Sequence, residues 1–154
     1  RIVYLNPAMQ RLLRDAEADL RRALPGFEAG TVLGASFDTF HRHPGHQRDL
    51  LARLAATHRV QIEIGPRTFA LTANPIVDAQ GRRNGTVVEW VDRTAELAAE
   101  REIAELVQRA AEGDFSARVD AHGKQGFLRT LAEAMNRLLT DVQAALEAIG
   151  AVQR

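Results

Sequence analysis

The chain has 154 residues, and its 20 basic and 20 acidic side chains give a formal net charge of zero. This balance gives no reason to expect a nucleic acid or an anionic membrane surface as a partner. Apolar residues make up 45% of the chain, but no apolar run approaches the ~20 residues of a membrane span. Because there is no cysteine, disulfides and thiolate chemistry are excluded, and a cytoplasmic location is expected. The sequence begins abruptly without methionine, so we expect a piece of a longer protein.

The first third of the chain predicts short elements separated by Pro and Gly breaks. Residues 2–5 are β-branched or aromatic and predict a strand. Asn6 and Pro7 are suited to cap and open a helix, which apolar residues at helical spacing continue as far as Pro25-Gly26. Residues 30–34 predict a loop, and after a histidine-rich stretch residues 46–56 predict a further helix.

The middle of the chain predicts an antiparallel meander of three strands. Residues 60–64 alternate apolar and polar side chains, which is typical of a half-buried strand. A Gly-Pro turn leads to a return strand over residues 67–77. Residues 78–85 are rich in turn residues and predict a hairpin loop, and residues 86–91 form the last strand. The predicted fold class is therefore α+β.

After residue 94 the pattern becomes purely helical. Residues 95–112 and residues 126–149 each predict a helix, and apolar residues of the second helix repeat at spacings of three and four over three heptads. This spacing is typical of a coiled-coil seam. A solitary helix of this kind leaves its seam exposed, so we expect a partner, most simply a second copy of the chain.

Residues 1–94 resemble a PAS domain. The likeness includes the order of the elements, the sequence Tyr-Leu-Asn-Pro-Ala at residues 4–8, and the hairpin sequence at residues 73–82. It also includes the closing Asp-x-Thr of Asp92 and Thr94. The resemblance implies a PAS antiparallel sheet with short helices, whose first strand is missing and is expected before Arg1.

Residues 95–154 resemble a HAMP domain, in which an extended connector joins two parallel helices. Gly113, followed by Phe115 and Val119, matches the connector glycine and its two hydrophobic anchors. The resemblance implies a parallel two-helix unit that dimerises into a four-helix coiled coil. One departure is that residues 124–127 (Lys-Gln-Gly-Phe) replace the acidic pair that commonly opens the second helix.

Residues 36–47 contain three of the five histidines and predict a short helical turn. On the residues alone, three readings stay open. The histidines could be surface or core residues, they could bind zinc, or one could ligate a haem iron against an apolar wall. The spacing of His41, His43 and His46 is poor for a tetrahedral zinc site, and no carboxylate ligand lies at a convincing spacing.

The sequence around these histidines, together with Thr-Val-Val-Glu-Trp at residues 86–90, resembles the haem-PAS domains of cytoplasmic bacterial aerotaxis-type chemoreceptors. The resemblance implies that His41 is the proximal ligand of haem b and that Trp90 donates its indole N–H to bound oxygen. It further implies that His46 lies near the haem and that Leu71 contacts it from the sheet.

We therefore expect a sensory fragment of a methyl-accepting chemotaxis receptor that binds haem b and senses oxygen. Asp92 and Thr94 can cap the helix that follows the sheet, and we expect them also to couple the sensor to its signalling helices. No nucleophile–base pair or phosphate loop is present, so no catalysis is expected. The alternatives are a haem-free PAS–HAMP relay for dimerisation or small-ligand sensing and, third, an enzymatic flavin or zinc hydrolase module.

Overall fold

The computed structural model of the chain describes residues 1–40 and 53–152. Contacts divide the chain into two compact units, Arg1–Thr94 and Ala95–Arg154. The helices are α1 (Pro7–Ala23), α2 (Thr94–Ala111) and α3 (Gly126–Val152), with 3-10 turns at Ala29–Thr31 and Phe37–Phe40, and the strands are β1 (His58–Ile64), β2 (Arg67–Val77) and β3 (Arg83–Asp92). None of the helices in the described ranges has the length and apolarity that crossing a bilayer requires.

Helix α1 begins and packs as its sequence predicts. The side chain of Asn6 accepts a hydrogen bond from the backbone N–H of Met9 at 2.7 Å, and Pro7 occupies the first helical position. Both features satisfy the unpaired N–H groups of the first turn. One face of the helix is buried through Leu13, Ala16 and Leu20, and this face lies against the sheet.

The sheet has the order β1-β2-β3, and both strand pairs are antiparallel. Its hairpin loop is closed by Asp78, whose side chain accepts hydrogen bonds from the backbone N–H groups of Gln80 and Arg82. The buried core of the first unit lies between α1 and one face of the sheet, and is formed by Leu13, Ala16, Leu20, Phe27, Val32 and Phe69. We call this face of the sheet the inner face.

Helix α2 ends because of a glycine. Gly113 has φ +89°, a conformation that costs side-chain-bearing residues energy. Its N–H donates to the carbonyl of Ala110, and the N–H of Asp114 donates to the carbonyl of Arg109, which is the Schellman pattern of helix termination.

The second unit brings α2 and α3 together side by side. Lys124, just before α3, forms an ion pair with Glu102 in the first half of α2. Gly113, just after α2, lies beside Gln143 and Gly150 near the end of α3. The N-terminal parts of the two helices lie at one end of the unit and their C-terminal parts lie at the other. The two helices therefore run parallel, as the sequence predicts. Their shared core is formed by Leu106, Ala117, Val119, Ala132 and Leu139.

One predicted element is wrong, and the described end of a second is not helical. Residues 2–5 form no strand. Among the described residues, their backbone pairs only through the two hydrogen bonds that join Ile2 to Gly34 and Ala35, and one such pair does not make a ladder. The helix predicted over 46–56 does not reach residues 53–56, which are turn and coil leading into β1. The rest of that prediction lies outside the described residues.

Smaller differences concern element ends. The predicted loop over residues 30–34 begins within the 3-10 turn Ala29–Thr31. Strand β3 begins at Arg83, three residues earlier than predicted, because the tight Asp78 loop closes the hairpin by residue 82. The return strand over residues 67–77 matches its prediction.

Candidate functional site

The predicted pocket residues Leu71 and Trp90 lie directly opposite each other in the paired strands β2 and β3. Residues opposite each other in an antiparallel pair project to the same face of the sheet. Both side chains are half-buried and pack against the core of the first unit, so this face is the inner one. Val60 of β1 lies opposite Leu71 and extends the row across all three strands. We call Val60, Leu71 and Trp90 the Trp90 row.

A ring contact with Phe69 holds Trp90. The rings of Phe69 and Trp90 meet edge to face, with centroids 5.4 Å apart and planes at 63°, an arrangement that aromatic pairs favour. Phe69 is fully buried, so it fixes one side of the indole. Among residues 1–40 and 53–152, none accepts a hydrogen bond from the indole N–H of Trp90. The row therefore offers an apolar wall with one donor that no described residue uses.

The predicted histidine ligands His41 and His46 lie outside the described residues, as does His43. The 3-10 turn Phe37–Phe40 leads directly into this stretch, so the start of the predicted helical turn is present. Within residues 1–40 and 53–152, no cluster of three or more His, Cys, Asp or Glu side chains could hold a metal ion.

Asp92 and Thr94 form a connected junction where β3 becomes α2. The carboxylate of Asp92 accepts hydrogen bonds from the N–H of Thr94 at 2.9 Å and from its hydroxyl at 2.5 Å. The hydroxyl oxygen of Thr94 accepts the N–H of Thr68 on β2 at 3.0 Å, and the N–H of Arg93 donates to the carbonyl of Thr68. Thr94, the first residue of α2, is thus hydrogen-bonded to both β2 and β3.

Sequence reasoning missed Arg67, which is the centre of the charges at this junction. Its guanidinium donates to Asp92 and to Asp19 of α1, both at 2.7 Å. The position of Arg67 after the Gly-Pro turn does not indicate a role at the junction, because nothing in the sequence shows that residues 19, 67 and 92 are in contact. Only the strand register and the packing of α1 bring them together.

These contacts shift the ionisation of both partners. Burial opposes the charged form of Asp92, but the hydrogen bonds from Thr94 and Arg67 outweigh it, so the pKa of this carboxyl is below its ordinary value. The hydrogen bond to Asp19 is the main cause that raises the pKa of Arg67. The junction is therefore charged throughout the physiological range.

The predicted connector residues of the second unit also come together. Val119 is buried and Phe115 is half-buried, and both belong to the core between α2 and α3. The side chain of Asn136 pairs with both backbone groups of Val119, each at 2.8 Å. Gly113 provides the turn that opens the connector.

Lys124 connects the segment before α3 to α2. Its ammonium group donates to the carboxylate of Glu102 at 2.7 Å and to the carbonyl of Asp120 at 2.5 Å. The Lys124 side chain is only 14% exposed. The junction between the connector and α3 is therefore made by a basic residue in this chain.

Known proteins share parts of this sequence and of this fold. No family model matches the chain. The methyl-accepting chemotaxis protein McpB of Pseudomonas aeruginosa is 44% identical over 145 residues, which cover 94% of this chain and 21% of that protein. This chain therefore spans about a fifth of the length of the curated relative it matches.

A solved structure gives the fold. The structure described as "The Aer2 Receptor from Vibrio cholerae is a Dual PAS-Heme Oxygen Sensor" is 36% identical, with a TM-score of 0.52. The match covers 58% of this chain and 82% of the solved chain. Together with the antiparallel sheet and its packed helix, this likeness establishes an α+β, PAS-like fold. The chain thus has a PAS-like fold and is related over nearly its whole length to part of a methyl-accepting chemotaxis protein.

Proposed function

We propose that residues 1–94 bind haem b and sense oxygen in the cytoplasm, and that residues 95–154 form HAMP-like helices that carry the signal to the rest of a chemoreceptor chain. The observation that carries the proposal is the Trp90 row, an apolar wall whose indole N–H donates to no residue in the described ranges. The proposal includes no catalytic step. It agrees with the solved relative, which is described as a haem oxygen sensor.

The described residues of the Trp90 row are suited to contact a haem. Leu71 and Val60 offer aliphatic surface for a flat macrocycle, and Trp90 stands beside them on the inner face. His41 would supply the proximal nitrogen, and His46 would lie near the group. When bound, haem supplies the iron that takes a diatomic gas.

Trp90 would determine which gas is favoured. An indole has one N–H donor and no acceptor, so it stabilises a polar diatomic ligand more than a weakly polarised one. The edge contact with Phe69 limits where the indole can go. Oxygen would therefore be favoured over carbon monoxide by a hydrogen bond from Trp90.

The coupling route begins at the same strands. Asp92 lies two residues after Trp90 on β3, and its carboxylate holds the first turn of α2 through Thr94. A movement of β3 must therefore displace this cap. We propose that Asp92 and Thr94 pass the change to α2, and that the helix pair has two packings between which the ligand shifts the equilibrium.

The helices also indicate how two copies meet. In α3, where each residue advances 100°, the half-buried Met135 and the buried Ala132 and Leu139 lie on the side that faces α2 and the connector. Leu138 and Ile149 lie on a second apolar side, where they are 56% and 58% exposed. We propose that this second side pairs with another copy to form a four-helix coiled coil.

The alternative is a haem-free relay, in which residues 1–94 mediate dimerisation or bind another small ligand. It is favoured by the Phe69 contact, since a tryptophan packed against a buried ring can be a core residue alone. In that case His41 would merely pack. The two functions differ in whether His41 is needed for pigment.

Fluorescence tests the proposal because Trp90 is the only tryptophan in the sequence. Titration with haemin should quench its emission, since haem absorbs at the emission wavelength and would lie close to the indole. His41→Ala should abolish saturable quenching and the absorption band, while His122→Ala, at an exposed position, should leave both unchanged. Unaltered haemin binding by His41→Ala would exclude His41 as the ligand.

A further inference from the structure

One end of the sheet is fitted closely to α1. The turn between β1 and β2 contains Gly65, which has φ +59°. A Cβ atom at this position would lie 3.1 Å from the backbone carbonyl oxygen of Asp19. Glycine favours this conformation, and a larger residue would be strained in it and would crowd this carbonyl. The strand β2 starts two residues later, at Arg67.

Arg67 uses this proximity to hold three groups from two other elements. Its Nε donates to Asp19 at 2.7 Å, one Nη donates to Asp92 at 2.7 Å, and the other donates to the backbone carbonyl of Asp15 at 3.1 Å. The three side chains of the ion pairs are each about one-quarter exposed. A planar guanidinium can hold two carboxylates in fixed directions, which a lysine ammonium does not do. We call Arg67, Asp19 and Asp92 the Arg67 clamp.

The clamp adjoins the Trp90 row through a buried residue. Phe69 follows Arg67 by two positions on β2, lies opposite Asp92 and contacts the ring of Trp90. Because the side chain of Phe69 is fully buried, it has no room to move independently of its strand. A displacement of Trp90 would therefore move the start of β2, which carries Arg67.

We propose that Arg67 is a positioning residue that joins both α1 and the first turn of α2 to the Trp90 row, so that a change at the row reaches the two helices together. The inference deepens the proposed function and rests on it for the nature of the signal. It makes α1 part of the response, which the Asp92–Thr94 cap alone does not.

Amide hydrogen exchange of the 154-residue chain tests the clamp. The first perturbation is carbon monoxide added to the reduced, haem-loaded protein, and the second is Trp90→Phe in the haem-free protein. In the parent chain we expect exchange rates to change in residues 16–23 of α1 and in residues 94–98 of α2. Asp19→Asn should remove the change in α1 only. The local opening equilibrium of α1 should itself rise roughly tenfold in this variant, as expected for one lost charge-assisted hydrogen bond.

Arg67→Gln should remove the change in both helices, whereas Arg59→Gln, at an exposed position on β1, should remove neither. The carbon monoxide spectrum should be the same in all variants, because Arg67 acts on the helices rather than on the pocket. Persistence of both responses in Arg67→Gln, or of the α1 response in Asp19→Asn, would overturn the clamp. Should the parent chain take up no haem, the proposed function fails, and the Trp90→Phe comparison still decides the clamp.

Discussion

At the scale of single residues, the candidate site consists of the Trp90 row and the adjoining Arg67 clamp. The resemblance identifies Leu71 and Trp90, but their direct opposition depends on the register of β2 and β3, which the Asp78 loop between them sets. Arg67 was missed because its partners lie 48 and 25 positions away along the chain. Ion pairs over such distances have no local sequence signal.

Trp90→Phe separates hydrogen bonding from packing. The phenyl ring keeps an aromatic contact with Phe69 but has no donor. We expect the chain to retain haem, the oxygen complex to dissociate about tenfold faster because a hydrogen bond of about 1 kcal/mol is lost, and carbon monoxide affinity to change little. Stopped-flow release of the two gases measures this, and equal effects on both gases would contradict a donor role.

Asp114 gives a prediction for pH. Hydrogen bonds from Ser116 and Arg109 lower the pKa of its carboxyl from 3.8 to about 2. Since the folded pKa lies below the ordinary value, the carboxylate stabilises the fold above pH 4, and this contribution is lost as the pH falls from about 4 to about 2. The difference between the urea midpoints of the parent and Asp114→Asn should therefore shrink over that range. A difference independent of pH would count against these contacts.

At the scale of elements, prediction succeeded where the determinants are local. The return strand over residues 67–77 has a turn on either side and alternating side chains, and its bounds match β2. Residues 2–5 also have high β propensity, but within the described ranges only Ile2 has backbone pairing to another segment. A strand needs a neighbour that propensity does not supply. Likewise, the contact of Lys124 with Glu102 can be recognised only from the packing of the two helices.

Asn136 provides the test of the connector. Its amide satisfies both backbone groups of the buried Val119. Asn136→Ala leaves these groups unpaired, so we expect a loss of about 1–3 kcal/mol in the free energy of unfolding. Urea denaturation followed by circular dichroism measures this loss. Arg137→Ala, at the adjacent exposed position, is the control and should change stability by less than about 0.5 kcal/mol.

At the scale of the whole molecule, the chain combines a PAS-like fold with a parallel helix pair. The coiled-coil seam predicted from heptads includes residues that the helix pair does not bury, Leu138 and Ile149 among them. Sequence periodicity thus identified the apolar positions, while the structure divides them between a side within the unit and a side left for a second copy.

Leu138→Lys tests this second side. A charge in the seam of a four-helix coiled coil would be buried without a partner, so we expect the variant to be monomeric where the parent chain is dimeric. Light scattering coupled to gel filtration measures the mass. Ala144→Lys, exposed on a different side of α3, should remain dimeric. A dimeric Leu138→Lys, or a monomeric parent, would contradict the seam.

The central claim is that this chain binds haem and uses it to sense oxygen. An absorption spectrum tests it most directly, recorded on the chain after reconstitution with haemin, removal of excess pigment, reduction, and exposure to air. We predict a sharp Soret band that shifts on exposure to oxygen and returns when oxygen is removed. A protein that emerges without pigment, or whose reduced spectrum is indifferent to oxygen, would contradict the claim and leave the haem-free relay.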